Sequence, residues 1–295
     1  MGIDINGARF LLDAARNGVI FDKTAMLGRQ EMHLGIRQLE EVFRRFSLPL
    51  SVGEADAIIE NGGGRNKGYA ESFLKKCGAT SVTSFDNSDF EGATVVHDMN
   101  RDIPDEYHAG FDCVLDSGTL EHVFNIPVAL RNCLSMVKPG GHFLSITICN
   151  NFMGHGFYQF SPELFYGVLS AKNGYAVERM FIFESRPDAR WYRVADPKKI
   201  GGRVELINSV MTYLLVQARR VSDTGLSDIT PQQSDYTVMW DGKIPGSTKL
   251  RTVKEESRFR RFKGVVKGAA KNMLRHLPVE TFRTPFNPPW YEPYE

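Results

Sequence analysis

The sequence predicts an α/β fold, built on a mainly parallel sheet with helices on both faces. Apolar runs of strand length alternate along the 295-residue chain with segments whose apolar residues recur at helical spacing. This alternation is typical of crossover units between parallel strands. The last two strand-like runs follow one another with no helix between them, so the final strand is expected to run antiparallel to its neighbours.

The N-terminal part supplies the first strand of this pattern. Residues 1–20 predict a helix with a turn at Asn17-Gly18, and the run FDKTAMLG predicts a strand that ends at Gly28. Residues 34–46 carry apolar side chains at near-helical spacing. Residues 49–68 contain three consecutive glycines, and we expect a loop or an insertion there.

Three strands that each end in a carboxylate come next. A helix is predicted for YAESFLKKCGA, which begins at Tyr69. The runs SVTSFD, ATVVHD and FDCVLD are then expected to form strands that stop at Asp86, Asp98 and Asp116.

The remaining elements complete a seven-stranded sheet. Residues 120–137 carry a helical pattern that stops at a Lys-Pro-Gly-Gly turn, and HFLSITICNN predicts the strand after it. Ser161 is a candidate N-cap for the next helix because proline and glutamate follow it. Residues 175–185 and 211–221 read as the last two strands.

Composition and charge exclude several classes of function. The chain has a net charge of +1 and 42% hydrophobic residues, which suits one sizeable core. The positive charge is concentrated in residues 249–277, so the rest is mildly acidic and indicates no nucleic-acid-binding surface. No secretory signal is recognisable, and the cytoplasm is the expected location. The four cysteines lack a metal-ligand spacing, and no metal site is predicted.

The residues just past the strands are the candidates for ligand binding, because ligands of such sheets bind at the carboxyl ends of the strands. These residues are Gly28, Asp86, Asp98, Asp116 and Asn150. A carboxylate after the second strand can accept hydrogen bonds from both hydroxyls of a ribose. Aspartates at strand ends also serve as ordinary turn residues, and this alternative stays open for each of the three.

The chain resembles the class I S-adenosylmethionine-dependent methyltransferases over about residues 20–221. The segments that carry the resemblance are SVTSFDNS, ATVVHDMNRDIP, FDCVLDSGTLEHV and LSMVKPGGHFLSIT. The resemblance implies a Rossmann-like, doubly wound domain over residues 21–221, with a helical segment at 1–20, an insertion at 49–68 and an extension at 222–295. It also implies S-adenosylmethionine as the cofactor, bound by Asp86, Asp98, Asp116, Ser117 and Gly118.

The first glycine motif departs from the family pattern. The family usually has several glycines after the first strand, whereas this chain has Gly28 followed by Arg29 and Gln30. Glycine there lets the backbone approach the ligand closely. We expect Arg29 and Gln30 to replace that approach by contacting the cofactor's carboxylate. The glycines at 62–64 are a weaker candidate for the same role.

Glu121, His122 and His155 are the candidate catalytic residues. The resemblance places Glu121 and His122 beside the methyl group, and the loop that carries His155 follows the fifth strand and can close over the same crevice. Either imidazole could be the general base for an oxygen nucleophile, and a reaction without a protein base is the third option. Histidine at a helix start also serves in capping or packing. Asn150, Tyr158 and Gln159 are expected to orient the acceptor.

The C-terminal extension holds a basic amphipathic segment, residues 249–277, with a proline-rich end after it. The segment suits either an anionic membrane surface or the acidic body of the protein itself. The proline-rich end is expected to lie extended on the surface without regular structure.

The sequence therefore predicts methyl transfer to an oxygen or nitrogen of a small molecule, a saccharide or a lipid-linked glycan. A catalytically inactive scaffold or partner subunit is the alternative that the sparse glycine motif suggests. A nicotinamide-dependent oxidoreductase is disfavoured because no Gly-x-Gly-x-x-Gly follows a strand. Oligomeric state is not indicated.

Overall fold

The computed structural model describes residues 2–60, 68–224, 230–240 and 291–294. The predicted basic segment 249–277 and the glycines at 62–64 lie outside these residues. The strands are β1 (Gly2–Ile3), β2 (Lys23–Leu27), β3 (Glu31–Met32), β4 (Ser81–Asp86), β5 (Val95–Val96), β6 (Phe111–Ser117), β7 (Val137–Asn150), β8 (Tyr175–Glu184), β9 (Trp191–Val194), β10 (Thr212–Arg220) and β11 (Tyr291–Tyr294).

The helices alternate with these strands over most of the chain. They are α1 (Ile5–Arg16), α2 (Ile36–Arg45), α3 (Glu54–Glu60), α4 (Glu71–Lys76), α5 (Ile126–Met136), α6 (Pro162–Val168), α7 (Pro197–Ile200) and α8 (Ser234–Trp240). Short 3₁₀ turns occupy Asp105–Tyr107, Leu120–His122 and Ala171–Asn173. Asp4 begins α1 as its N-cap, because its Oδ1 accepts the N–H of Gly7 at 2.8 Å.

The main sheet has the strand order β11-β9-β8-β10-β7-β6-β2-β4-β5. Strands β5, β4, β2, β6 and β7 are parallel. Strand β10 lies antiparallel between β7 and β8, as the sequence predicts for the last strand. The prediction of seven strands is wrong by two, since β9 and β11 extend one edge of the described sheet to make nine. The proline-rich end therefore contributes regular structure.

Each face of the sheet carries its own core. Helices α1 to α4 pack on one face around residues such as Phe10, Phe43 and Phe73. Helices α5 and α6 pack on the other face, where Leu134, Phe143 and Phe165 are buried. Because helices cover both faces, the fold is doubly wound, and folds of this kind bind their ligands at the strand ends.

Most predicted elements are correct in kind, but α3 occupies part of the segment predicted as a loop or insertion, and several boundaries differ. Strand β7 begins at Val137 and so includes the predicted Lys-Pro-Gly-Gly turn. The strand predicted to end at Asp98 is limited to Val95–Val96. The helix predicted from Leu120 is divided into the Leu120–His122 turn and α5. The Asp116 carboxylate holds the start of the first segment, because it accepts the N–H groups of Thr119 and Leu120. The division arises because Pro127, in the first turn of α5, has no N–H to donate to the carbonyl four residues earlier, so a helix can begin there but not continue through it.

The described residues contain no helix long and apolar enough to cross a membrane.

Candidate functional site

The site lies at the carboxyl ends of β2, β4, β6 and β7. Chain order reverses around β2, which has β4 on one side and β6 on the other. Open α/β sheets bind their ligands at such a reversal. We call the space above these strand ends the crevice.

Gly28 forms the turn after β2 and faces the crevice. Its φ of +65° is in the left-handed region, and a Cβ built there would lie 2.7 Å from Thr119 Oγ1 and 3.8 Å from Asp86 Oδ2. The Gly28 N–H donates to the carbonyl of Phe85 at 2.7 Å, which ties the turn to β4. Glycine is therefore required here both for the backbone conformation and for the close approach of Thr119.

Gln30 and Thr119 fix the shape of this turn. The Gln30 side chain is 2% exposed, and its Nε2 donates to Leu27 O at 2.5 Å and to Thr119 Oγ1 at 3.1 Å. Thr119 Oγ1 donates to the same Leu27 carbonyl at 2.8 Å. Among the described residues nothing donates to Gln30 Oε1. The sequence reasoning missed Thr119, although its place three residues after a strand-end aspartate is a turn signal.

Arg29 joins three parts of the rim of the crevice. Its Nε donates to Glu71 Oε1 at 2.7 Å, and its Nη1 donates to the carbonyl of Glu91 at 2.9 Å. The guanidinium carbon lies 4.1 Å from the centre of the Tyr69 ring. These hydrogen bonds occupy several of the Arg29 N–H groups that were expected to bind the cofactor's carboxylate.

Asp86 and Asp98 follow neighbouring strands but differ in their surroundings. Asp86 is partly buried at the end of β4 and approaches the Gly28 turn. Asp98 Oδ1 accepts from the backbone N–H of Asn100 at 2.9 Å and from its Nδ2 at 2.8 Å. These hydrogen bonds lower the pKa of Asp98. Asp98 therefore holds the turn that follows β5, a role that strand-end aspartates commonly have.

Asp116 lies below the crevice and does not line it. Its side chain is 0% exposed, its Oδ1 accepts the N–H groups of Thr119 at 3.0 Å and Leu120 at 3.1 Å, and its Oδ2 accepts from Ser145 Oγ at 2.7 Å. Burial raises the pKa of Asp116 to about 6, against the opposing effect of these donors. Because three protein donors already occupy its two oxygens, we assign Asp116 to holding the turn above it.

Ser117 and Gly118 form the start of that turn. Ser117 is 2% exposed and its Oγ donates weakly to the carbonyl of Gly2 at 3.4 Å. Gly118 has a φ of +84°, which allows the chain to leave β6 sharply toward Thr119.

Glu121, His122 and His155 lie together at the other end of the crevice. One potential ligand atom from each of the three lies within 4.8 Å of the other two, and the imidazole centres are 5.1 Å apart. Glu121 is 0% exposed, and its Oε2 accepts from Thr147 Oγ1 at 3.1 Å. Burial and the nearby Asp116 carboxyl raise the pKa of Glu121. Partial burial and then His155 lower the pKa of His122.

The loop after β7 brings His155 to this position. The N–H groups of Phe157 and Tyr158 both donate to the Glu121 carbonyl, at 2.7 and 3.2 Å. A Cβ on Gly156 would lie 2.7 Å from that same oxygen. The close approach of the loop to the Leu120–His122 turn therefore depends on glycine.

The three predicted acceptor-orienting residues make hydrogen bonds inside the protein. Asn150 Nδ2 donates to Asn208 Oδ1 at 2.9 Å, and the Tyr158 hydroxyl donates to the Phe124 carbonyl at 2.7 Å. Gln159 Oε1 accepts the N–H of Phe152 at 2.7 Å. In the structure these groups therefore hold the loop in place.

An apolar rim borders the two histidines. Phe124, Met153 and Phe157 are 70%, 94% and 65% exposed, and the two phenylalanine rings meet edge to face at 5.6 Å. Exposed large apolar side chains in one place mark a binding surface more often than scattered ones do.

A separate cavity of about 800 Å³ lies beside α1 and β9. Five arginines line it, namely Arg9, Arg16, Arg45, Arg186 and Arg190. None of the predicted site residues borders it.

Comparison with known proteins gives one family and a group of solved structures. The family model described as "Methyltransferase domain" matches residues 33–202. No curated protein matches the chain. The 1,6-didemethyltoxoflavin-N1-methyltransferase of Burkholderia thailandensis has 14% identity and a TM-score of 0.40, with 74% of this chain and 78% of that chain covered. An S-adenosylmethionine-dependent methyltransferase from Mesorhizobium loti has 17% identity and a TM-score of 0.39, with 73% and 100% covered.

Proposed function

The chain belongs to the methyltransferase-domain family, and from that premise we propose that it transfers a methyl group to an oxygen or nitrogen of an apolar small molecule. S-adenosylmethionine is the methyl donor. The convergence of Gly28, Asp86 and Thr119 at the chain reversal is the observation that supports this proposal.

The residues at the carboxyl ends of β2 and β4 suit this cofactor. The Gly28 turn leaves space that a side chain would fill, so the cofactor's amino acid portion can approach the backbone. Gln30 Oε1 is a buried acceptor without a donor among the described residues, and the cofactor's ammonium group would supply one. Asp86 offers two acceptor oxygens for the ribose hydroxyls. A contact between Arg29 and the carboxylate, and contacts from Ser117 and Gly118, stay proposals.

On the acceptor side we assign activation to Glu121, His122 and His155. S-adenosylmethionine supplies an electrophilic methyl group on a sulfonium centre, which a nucleophile displaces in line. With the cofactor bound, the acceptor atom would form its bond to the methyl carbon as the carbon–sulfur bond breaks, and both electrons of that bond would stay on sulfur. The acceptor proton must leave, and a neutral imidazole of His122 or His155 can take it. The lowered pKa of His122 keeps that ring neutral near pH 7.

The apolar rim indicates the kind of acceptor. Phe124 and Phe157 present two exposed rings next to the histidines, and aromatic side chains favour flat or apolar partners. A small molecule with an apolar ring system therefore suits the rim. Lipid-linked acceptors and peripheral membrane contact depend on residues 249–277, outside the described part of the chain.

Calorimetric titration of the full chain with S-adenosylhomocysteine tests the cofactor assignment. We expect binding by the wild type and about 10- to 100-fold weaker binding by Asp86→Asn, because hydrogen bonds to a charged group contribute about 1.5–3 kcal/mol. Asp89→Asn, in the exposed loop after β4, is the matched control and should bind like the wild type. Absence of binding by folded wild-type protein, or equal affinity of the two variants, would refute the assignment.

A further inference from the structure

The cluster of Glu121, His122 and His155 has the composition of a metal site. It offers one carboxylate oxygen and two imidazole nitrogens, with one potential ligand atom of each residue within 4.8 Å of the others. Two histidines and one carboxylate are the ligand set of many catalytic zinc and iron sites. If the three potential ligand atoms moved slightly closer together, one ion could be coordinated by all of them.

An independent observation points to a cation at this position. Glu121 is 0% exposed, and Thr147 donates only to its Oε2. Its Oε1 has no hydrogen-bond partner among the described residues. A buried carboxylate oxygen without a donor is costly. A bound cation would remove that cost directly.

The backbone around the cluster is held from two sides. Asp116 fixes the start of the Leu120–His122 turn through the N–H groups of Thr119 and Leu120. The Glu121 carbonyl accepts two N–H groups from the loop that carries His155. A metal site needs such fixed ligand positions together with an outer partner for its carboxylate, and Thr147 is that partner here.

We propose that Glu121, His122 and His155 bind a divalent transition-metal ion of the zinc type. Two imidazole ligands favour zinc, cobalt or iron over magnesium and calcium, which prefer oxygen ligands. Both histidines are exposed, and three protein ligands leave an ion of this type at least one coordination position for another molecule. This differs from the sequence prediction of no metal, which considered only the spacing of the cysteines.

The role of the ion in catalysis, unlike its binding, rests on the proposed function. An acceptor hydroxyl that coordinates the ion loses its proton more readily. His122 and His155 then act as ligands, and the proton passes to solvent in place of an imidazole. The oxygen attacks the methyl carbon, and the carbon–sulfur electron pair stays on sulfur as before. A metal thus takes over the activation that a general base would otherwise supply.

Titration of the metal-free full chain with Co²⁺, followed by its visible absorption, tests the site. We expect one equivalent to bind and to give the bands of a tetrahedral or five-coordinate ion with nitrogen and oxygen ligands. His155→Ala, on the exposed loop, should lower the affinity by at least about 100-fold, more than loss of an outer-shell partner does. Thr147→Val should lower it by about 10- to 100-fold. Zn²⁺ should displace Co²⁺ from the wild type.

His108→Ala is the matched control, since His108 is also exposed and lies 3.5 Å from a carboxylate, Asp105. It should bind Co²⁺ like the wild type. Failure of the wild type to bind one equivalent, sulfur-to-cobalt bands, or equal affinity of His155→Ala and His108→Ala would overturn the proposal. Cofactor binding, measured separately, distinguishes this outcome from failure of the proposed function.

Discussion

Replacing Gly28 with alanine tests the geometry of the crevice most directly. The new Cβ would lie 2.7 Å from Thr119 Oγ1 and 3.0 Å from Gln30 Nε2, and the backbone would keep a φ of +65°. The left-handed conformation costs a non-glycine residue about 1–2 kcal/mol. Displacing Thr119 also disturbs its hydrogen bonds to Leu27 and Gln30, each of which contributes about 0.5–1.5 kcal/mol.

The total loss in the free energy of unfolding should be about 2–5 kcal/mol. Gly18→Ala is the control, because Gly18 has a φ of +91° with open space where a Cβ would go. Gly18→Ala should lose only the free energy that the left-handed backbone costs, so the free energies of unfolding of the two variants should differ by about 1–3 kcal/mol. Both variants reduce the freedom of the unfolded chain equally, and that effect cancels in the comparison.

Urea denaturation followed by circular dichroism measures the difference, provided that the two variants share one m-value. A second check is the double variant Gly28→Ala with Thr119→Ala, in which the clash with the Thr119 hydroxyl is gone. The two substitutions should then be clearly non-additive. Equal midpoints for Gly28→Ala and Gly18→Ala would refute the close approach of Thr119 to the turn.

Three further predictions concern ionisable groups. Ser145→Ala should lower the free energy of unfolding, measured by urea denaturation, by about 1–3 kcal/mol more at pH 8 than at pH 5. The reason is that the pKa of Asp116 is raised to about 6, so the carboxylate that the Ser145 hydroxyl stabilises predominates at pH 8 and not at pH 5. Asn100→Ala should raise the pKa of Asp98 in a carbon-detected NMR titration, because it removes the Nδ2 donor while the backbone N–H, the larger cause of the lowered pKa, stays; the stabilisation from that side-chain hydrogen bond is present above the unfolded pKa of about 4 and is lost as the pH falls. Cys113 should resist alkylation of the native protein at pH 8, because burial raises its thiol pKa; labelling by mass spectrometry as fast as in urea would contradict this.

The parallel part of the fold is readable from the sequence because burial on both faces leaves uninterrupted apolar runs. The run FDCVLD forms β6 and SVTSFD forms β4, each at its predicted position. Strand β9 was not predicted because it lies within a mainly polar segment. Strand β11 was not predicted because it contains Pro293, and proline is rare inside strands. Only pairing with a neighbour far along the chain reveals it.

The site is predictable at the level of strand ends and less so at the level of single side chains. The strand-end rule located the Gly28 turn and the crevice around Asp86. It could not separate Asp116, which is buried under the turn, from carboxylates that face a ligand, because that depends on Ser145 in the neighbouring strand. Glu121 shows the same limit. Helical periodicity gives no sign that this acid is fully buried, since it lies in a 3₁₀ turn that the loop after β7 covers.

The strand at the end of the chain also affects how the protein behaves in concentrated solution. Strand β11 forms one edge of the described sheet, and its Pro293 lacks the N–H that a further strand would need. At the other edge, β5 offers only Val95 and Val96. Short or proline-containing edge strands hinder sheets of two molecules from joining. Removal of residues 291–294 would make β9, with Trp191 and Tyr192, the edge strand. Its unpaired backbone groups could then pair with another molecule and promote aggregation.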